Sequence, residues 1–232
     1  MNLFYQPRII EGEHYLDADE SRHCTKVLRK KEGDHITVTD GKGVFYEVKL
    51  QKVDSKQCSF TIINSTPELK RNFSIHIAVA PTKNIDRIEW FVEKSTELGI
   101  DEISFIQCEH SERVHIKPER IERVAISAMK QSLKASLPKI YPLKKFKDFI
   151  NDQSSGDKFI AYVDATNPHH LKDLAKPVSS YSVLIGPEGD FSPGELKLAI
   201  DHGFLKVSLG SSRLRTETAA LVACHTLNLL NL

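Results

Sequence analysis

The spacing of apolar and polar positions changes period near residue 70. Before that point HITVTDGKGVFYEVKLQKV (35–53) alternates apolar with polar residues around Asp40-Gly41-Lys42-Gly43, and QCSFTIINS (57–65) continues with β-branched residues. Period-two alternation on both sides of a glycine turn predicts a hairpin, and residues 1–70 as a whole read as a small β-rich domain. The Gly-Lys-Gly reads as a turn, not a phosphate loop: no helix follows it, and no Ser or Thr sits after a Lys at the required spacing. TPELKRN (66–72), with Pro67 and a charge cluster, reads as a linker.

Beyond the linker SIHIAVA (74–80) is a buried-strand run. IDRIEWFVEKSTELG (85–99) then places Ile85, Ile88, Phe91, Val92, Ser95 and Leu98 on one helical face, with Asp86 and Glu89 as a capping box and Gly99 as a stop. EISFIQ (102–107) predicts another strand, and an amphipathic helix is expected from about Pro118 to Leu137. KFIAYVD (158–164), SVLIG (182–186) and FLKVSLG (204–210) predict strands that alternate with helices near 192–202 and 215–230. Such alternation means an α/β domain over 71–232, a parallel sheet with helices on both faces.

Composition narrows the class. The chain has 232 residues, 40% hydrophobic and 27% charged, an ordinary globular balance. No apolar run approaches membrane-spanning length and the N-terminus lacks a signal-peptide layout, so a cytoplasmic protein with no membrane role is expected. Cys24, Cys58, Cys108 and Cys224 are far apart and predict neither a disulfide nor a zinc site; His169-His170 is not helix-spaced, and no metal is expected. The net charge of +1 is uninformative, but its distribution is not. From Arg113 to Lys147 ten Lys/Arg face only Glu119 and Glu122, and Arg22, Lys26, Arg29, Lys30 and Lys31 form a second block without an acid. Two basic blocks on a near-neutral chain suggest a phosphate-binding footprint, with solvated helix faces as the plainer alternative.

Five of the eleven glycines (186, 189, 194, 203 and 210) fall in one short window that contains VLIGPEGDFSPGE (183–195) and VSLGSSRLRTETAA (207–220). In each segment an apolar run stops at a glycine-bearing turn. Strand-end loops of open α/β sheets are where such folds bind small molecules, so these two loops are the candidate ligand site; two ordinary strand-to-helix turns are the alternative.

Together these residues resemble a known family over essentially the whole chain: the small-subunit ribosomal RNA uracil-N3 methyltransferases of the SPOUT class. The matching pieces are His23 with Val27-Leu28-Arg29 and Gly33-Asp34, Lys83 and KSTELG (94–99), Ser111-Glu112-Arg113, AISAMKQSLKASLPKI (125–140), IGPEG (185–189) and LG…LRTETAA (209–220). The resemblance implies a PUA-like β-barrel that helps hold RNA, followed by a SPOUT domain with a trefoil knot, a homodimer, and S-adenosyl-L-methionine as cofactor. Its substrate would be 16S ribosomal RNA in the small ribosomal subunit. The cofactor-binding candidates are Leu184, Ile185, Gly186, Pro187, Glu188, Gly189, Leu209, Gly210, Leu214 and Thr218. Arg22, Lys26, Arg29, Lys83, Arg113, Arg120, Arg123 and Lys134 are the RNA-binding candidates.

Removing the N3 proton of uracil develops charge on the neighbouring carbonyl oxygens, which a fixed cation would stabilise. Arg215 is the first catalytic candidate, with Glu217 to orient it or relay the proton; a plain helix-start ion pair between the two is the alternative. Glu188 could face the sulfonium or cap the helix near Ser192, and Lys94 with Glu97 reads as an exposed pair. Three positions depart from the family pattern: Asp190 where glycine is usual, Lys134 where arginine is usual, and Ser212-Arg213 where Arg and an aliphatic residue are common. A SPOUT enzyme acting on a ribose 2′-hydroxyl or on guanine, and a non-catalytic RNA-binding protein, are the other functions compatible with the residues.

Overall fold

The structure, a computed structural model, describes residues 2–152, 156–163 and 169–232. It divides into two compact units: Met1–Lys70 with Ile126–Leu137, and Arg71–Ala125 with Pro138–Leu232.

The first unit contains β1 (Leu3–Tyr5), α1 (Ala18–Arg22), β2 (His35–Thr39), β3 (Val44–Lys52) and β4 (Ser59–Pro67). The strands form one sheet in that order, β1 parallel to β2 and the others antiparallel. Alternation in β2 and β3 turns Ile36, Val38, Tyr46, Val48 and Leu50 inward, where they pack with Phe4, Ile9, Leu16, Cys24 and Phe60. The β2–β3 turn is the expected glycine hairpin. Gly41 has φ +74, and a Cβ there would stand 2.8 Å from the Tyr5 ring, so both conformation and space require glycine. Buried Asp40 organises the turn, its carboxylate accepting from the backbone N–H of Lys42 (2.7 Å) and Val44 (3.2 Å) and from the Tyr46 hydroxyl (3.3 Å). Thr66 and Pro67, expected in the linker, complete β4 instead.

Two features of this unit were not foreseen. Residues Ile126–Leu137 belong to it because Ala135 O accepts from Gly43 N (3.0 Å) and the Thr39 hydroxyl (3.0 Å), while the Glu68 carboxylate accepts from Ala135 N (3.1 Å) and the Ser136 hydroxyl (2.7 Å). After α1, capped by the Asp17 side chain, the chain continues as a π-turn over His23–Val27 that leaves Lys26 and Val27 exposed, and Arg29 follows with φ 52. Wide turns of this kind recur at functional sites.

The second unit runs β5 (Ser74–Val79), α2 (Ile85–Leu98), β6 (Glu102–Gln107), α3 (Pro118–Gln131, entering the first unit at Ile126), β7 (Lys139–Lys145), α4 (Phe146–Asp152), β8 (Asp157–Ala161), α5 (Leu171–Leu174), β9 (Ser180–Ile185), α6 (Pro193–Asp201), β10 (Leu205–Val207) and α7 (Thr216–Leu230). Its sheet has the order β10-β8-β9-β5-β6-β7 and every pairing is parallel, as the alternation of strands and helices predicted. One face carries Ala78, Ala80, Ile106, Ile160 and Leu184 against Phe146, Phe149 and Ile150 of α4 and Ala199 of α6. The intervening residues Ile75, Ile77, Val79, Ile103, Phe105 and Val183 are equally buried, and α7 lies against β5 and β9 with α2 and α5 packed on it.

Several expected boundaries shift. The cap of α2 is Asn84, whose side chain accepts from Asp86 N (3.0 Å), not an Asp86–Glu89 box; those two acids instead hold Arg120. Gly99 ends α2 as expected, with φ 88. The helix expected to reach Leu137 stops at Gln131, where Leu133 takes a left-handed conformation (φ 56). The strand expected over 158–164 ends at Ala161, Asp164 lying outside the described residues, and the one expected over 204–210 is Leu205–Val207. Strand β7 and helix α4 had no counterpart in the sequence reading. Among the described residues no helix is long and apolar enough to cross a membrane, no group of His, Cys, Asp and Glu could hold a metal ion, and all four cysteines are free and buried.

Asp40→Ala would strand the hairpin's backbone donors and the Tyr46 hydroxyl. Loss of about 1–3 kcal/mol is expected, read as faster hydrogen exchange across β2–β4 with unchanged protection in β5 and β9.

Candidate cofactor site and candidate RNA-binding cations

Because the six strands of the second unit are parallel, their carboxyl ends share one edge, and the loops after β5, β6, β9 and β10 gather there. Ala80 N still pairs with Ile185 O (2.9 Å), so the β5 and β9 loops leave the sheet side by side. The Glu188 carboxylate accepts from Lys83 N (3.2 Å), which ties the IGPEG loop to the β5 loop. The Thr216 hydroxyl, at the start of α7 and 5% exposed, donates to Gly186 O (3.0 Å). That bond joins the two glycine-bearing segments singled out in the sequence.

The glycines have causes within the chain. A Cβ at Gly186 would meet the Phe191 ring at 3.1 Å, and one at Gly189 the His110 side chain at 3.0 Å. Gly203 (φ +84) and Gly210 (φ +124) need their backbone conformation. Only Gly194 is free of both constraints among the five, so their clustering reflects loop packing as well as any ligand. Gly210 has open space where a Cβ would stand, with half-buried Leu209 and Leu214 on either side. Leu184 and Ile185 lie in the core, so only their backbone could serve a ligand. Pro187 is buried, Thr218 half-buried, and Glu188 and Gly189 exposed.

Asp190 occupies its glycine-like position with φ 61, a conformation Asp tolerates better than most residues. Its carboxylate accepts from Phe191 N (2.8 Å) and Val163 N (3.3 Å), and burial raises its pKa. His110 Nδ1–H donates to the carbonyls of Gly189 (3.1 Å) and Asp190 (3.0 Å); these bonds, Asp190's foremost, raise its pKa above the ordinary imidazole value. Ser192 caps α6 in a box with Glu195, so Glu188 is not that helix's cap.

Arg215 is the exposed N-cap residue of α7 and makes no side-chain cap bond. The alternative of a helix-start ion pair with Glu217 does not hold, since Glu217 faces Arg87. Glu217 turns inward at 7% exposure, with Oε1 3.8 Å from Arg87 Nε of α2 and Oε2 without a hydrogen-bond partner among the described residues.

The cation candidates separate by what they already hold. Arg113 donates to Thr82 O (3.0 Å) and Lys83 O, which fixes the β5 loop; Arg120 is held by Asp86 and Glu89, Lys83 by Glu112 (2.9 Å), and Arg22 by Asp19. Among the described residues Arg123 bonds only the Glu119 carbonyl (3.1 Å). Lys26, Arg29 and Lys134 have no ion-pair partner among the described residues.

The class follows from family models: that of the RNA methyltransferase domain matches residues 69–228, over the parallel sheet and its cross-tied loops, and that of the RNA methyltransferase PUA domain matches residues 16–63, in the small β-rich unit. Ribosomal RNA small subunit methyltransferase E of Buchnera aphidicola subsp. Acyrthosiphon pisum is 30% identical over 93% of this chain and 88% of its own length. A crystal structure of a probable rRNA-methyltransferase from Porphyromonas gingivalis superimposes with a TM-score of 0.92 at 46% identity, covering 99% of each chain. That of ribosomal RNA small subunit methyltransferase E from Neisseria gonorrhoeae, bound to S-adenosyl methionine, gives 0.85 at 27% identity, covering 100% of this chain and 98% of the other. The chain belongs to the ribosomal RNA small subunit methyltransferase E family.

His110 grips the IGPEG loop most strongly when protonated. Its raised pKa means this contribution is complete below the ordinary value of about 6.5 and is lost as pH rises through the folded value. After correction for intrinsic exchange, the 189–191 amides should therefore open more readily with rising pH, and His110→Ala should flatten that dependence.

Proposed function

We propose that this chain uses S-adenosylmethionine to methylate N3 of a uridine in the 16S ribosomal RNA of the small ribosomal subunit. The observation that carries the reading is the Thr216–Gly186 hydrogen bond, which joins the two loops while Arg215, next to Thr216, stays exposed. Family membership and the cofactor-bound relative from Neisseria gonorrhoeae support the same cofactor here. The loops fit such a ligand: Gly210 offers open backbone, Leu209 and Leu214 apolar flanks, and Gly186, Pro187 and Gly189 the opposing loop. When bound, the cofactor supplies an electrophilic methyl group on a sulfonium.

The chain's own contribution is position and charge. Arg215 would stabilise the negative charge that spreads to the uracil carbonyl oxygens as N3 loses its proton. Glu217 acts at one remove, holding Arg87 and the α2–α7 packing on which Arg215 rests. In the first unit Lys26, Arg29 and Lys134, and in the second Arg123, offer charge to RNA phosphates, which position a substrate without specifying its sequence. The trefoil knot and the homodimer implied by the resemblance belong to this reading. The tie between the entry to α7 and the end of β9 supports the first, and exposed Leu229 on the apolar α7 supports the second.

Small-subunit particles lacking the modification should gain 3-methyluridine when incubated with the protein and labelled S-adenosylmethionine, as read by nucleoside mass spectrometry. A 2′-O-methylated nucleoside or a methylguanosine would overturn the N3 assignment, and no incorporation would overturn the activity.

Arg215→Ala should bind cofactor nearly normally yet lose about a hundredfold or more in single-turnover rate, its residual rate climbing with pH more steeply than the parent's. Lysine should restore little, lacking the planar guanidinium fork. Parental turnover in the alanine variant would make Arg215 structural.

Lys26→Ala with Arg29→Ala should weaken RNA binding uniformly across sequences and lower the slope of log K against log salt by about one for each charge removed. An unchanged slope would place the RNA elsewhere.

A further inference from the structure

One face of the six-stranded sheet is polar near the amino ends of its strands, where a parallel sheet is ordinarily apolar on both faces. Register sets Ser74 beside Ser180, His76 between Ser182 and Glu102, and Ser104 beside Tyr141. Two residues further along, the same face becomes apolar at Ala78, Ile106 and Leu184 and is covered by Phe146, Phe149 and Ile150. At the margin of that cover Phe149 and the polar residues line a cavity of roughly 680 Å³, within the range of about 300–1,000 Å³ usual for small-molecule sites. Gly186 and Arg215 follow the carboxyl ends of the strands, so this cavity is separate from the loop site.

The lining determines what could enter. Glu102 is engaged by the Tyr141 hydroxyl (2.7 Å) and Asp152 by Lys144, so the carboxylates hold internal partners and the wall keeps one net negative charge, which disfavours phosphates and carboxylic acids. The His76 ring lies edge-on to Phe149 (5.6 Å between centroids) and tilted to Tyr141 (6.0 Å). Its Nε2 meets the Ser104 hydroxyl at 2.8 Å, and its Nδ1 has no partner among the described residues. Burial lowers its pKa and keeps the ring neutral at physiological pH. The site therefore offers aromatic walls, a ring nitrogen, and the hydroxyls of Ser74 and Ser180, bonded to each other (3.0 Å), and of Ser104, bonded to His76, whose oxygens keep a lone pair to accept from a ligand. We infer that this cavity binds a neutral nucleobase or nucleoside, its ring against Tyr141 and Phe149 and its polar edge on His76, Ser104 and the Ser74–Ser180 pair.

The test uses the full chain saturated with S-adenosylhomocysteine, so that a nucleoside cannot report on the loop site. Adenosine and uridine are titrated while the His76 ring is followed by NMR, with their 5′-monophosphates and inorganic phosphate as controls. At least one nucleoside should shift the ring saturably with a Kd of about 1 mM or tighter, and its monophosphate should bind about tenfold more weakly or worse. Ser104→Val should weaken the nucleoside by a similar factor, and His76→Phe, which fills space without a ring nitrogen, should abolish its binding in calorimetry. No saturable shift with either nucleoside up to about 10 mM, or equal binding of the monophosphate, overturns the proposal without recourse to any variant. Parental affinity in a folded Ser104→Val protein also overturns it.

Discussion

Every strand of the six-stranded sheet points the same way, and the site depends on that constraint. Parallel pairing forces each connection to cross over through a helix, so the outgoing loops collect at one edge and the returning ones at the other. At the outgoing edge the backbone runs out of sheet partners and is satisfied by neighbouring loops: Ala80 by Ile185, Lys83 by Glu188, Gly186 by Thr216, and Gly189 and Asp190 by His110. Each tie joins segments far apart in sequence. A candidate site assembled this way is held by hydrogen bonds of modest net worth, about 1 kcal/mol each, and its rigidity comes from their number.

Much of the second unit was legible because most of its strands are short apolar runs and its helices end at recognisable signals such as Gly99. What escaped was decided by context. KIYPLKK reads as a loop, with a proline and three lysines, yet forms β7 because only one of its sides needs to pair. The return of residues 126–137 to the first unit depends on carbonyls and carboxylates meeting across distant sequence, which no local pattern announces. Asn84 outcompeted Asp86 as a cap because the helix begins two residues earlier than a cap at Asp86 would set it.

The candidate site was legible as a pair of segments but not in the division of labour among its residues. Glycine clustering pointed to the right loops for a partly different reason, since Phe191 and His110 demand two of those glycines themselves. Basic residues could be counted but not sorted: Arg113 and Arg120 are indistinguishable by sequence from Arg123, and only the fold shows the first two holding a loop and a pair of acids. Glu217 looked like a surface partner for Arg215, whereas α2 packs over α7 and buries it beside Arg87.

The composition of β7 bears on how this unit meets other molecules. As the outer strand among the described residues it has one row of backbone groups without a neighbouring strand, the kind of edge along which unrelated chains zip together. Pro142 removes a donor from it, the register slips between Ser104 and Phe105, and Lys139, Lys144 and Lys145 surround it with like charge. At the other margin β10 is only three residues long. Both borders of the sheet are thus poor templates for strand addition, which guards a crowded cell against fibrous self-association and leaves helix faces and loops as the surfaces through which this unit can recognise a partner.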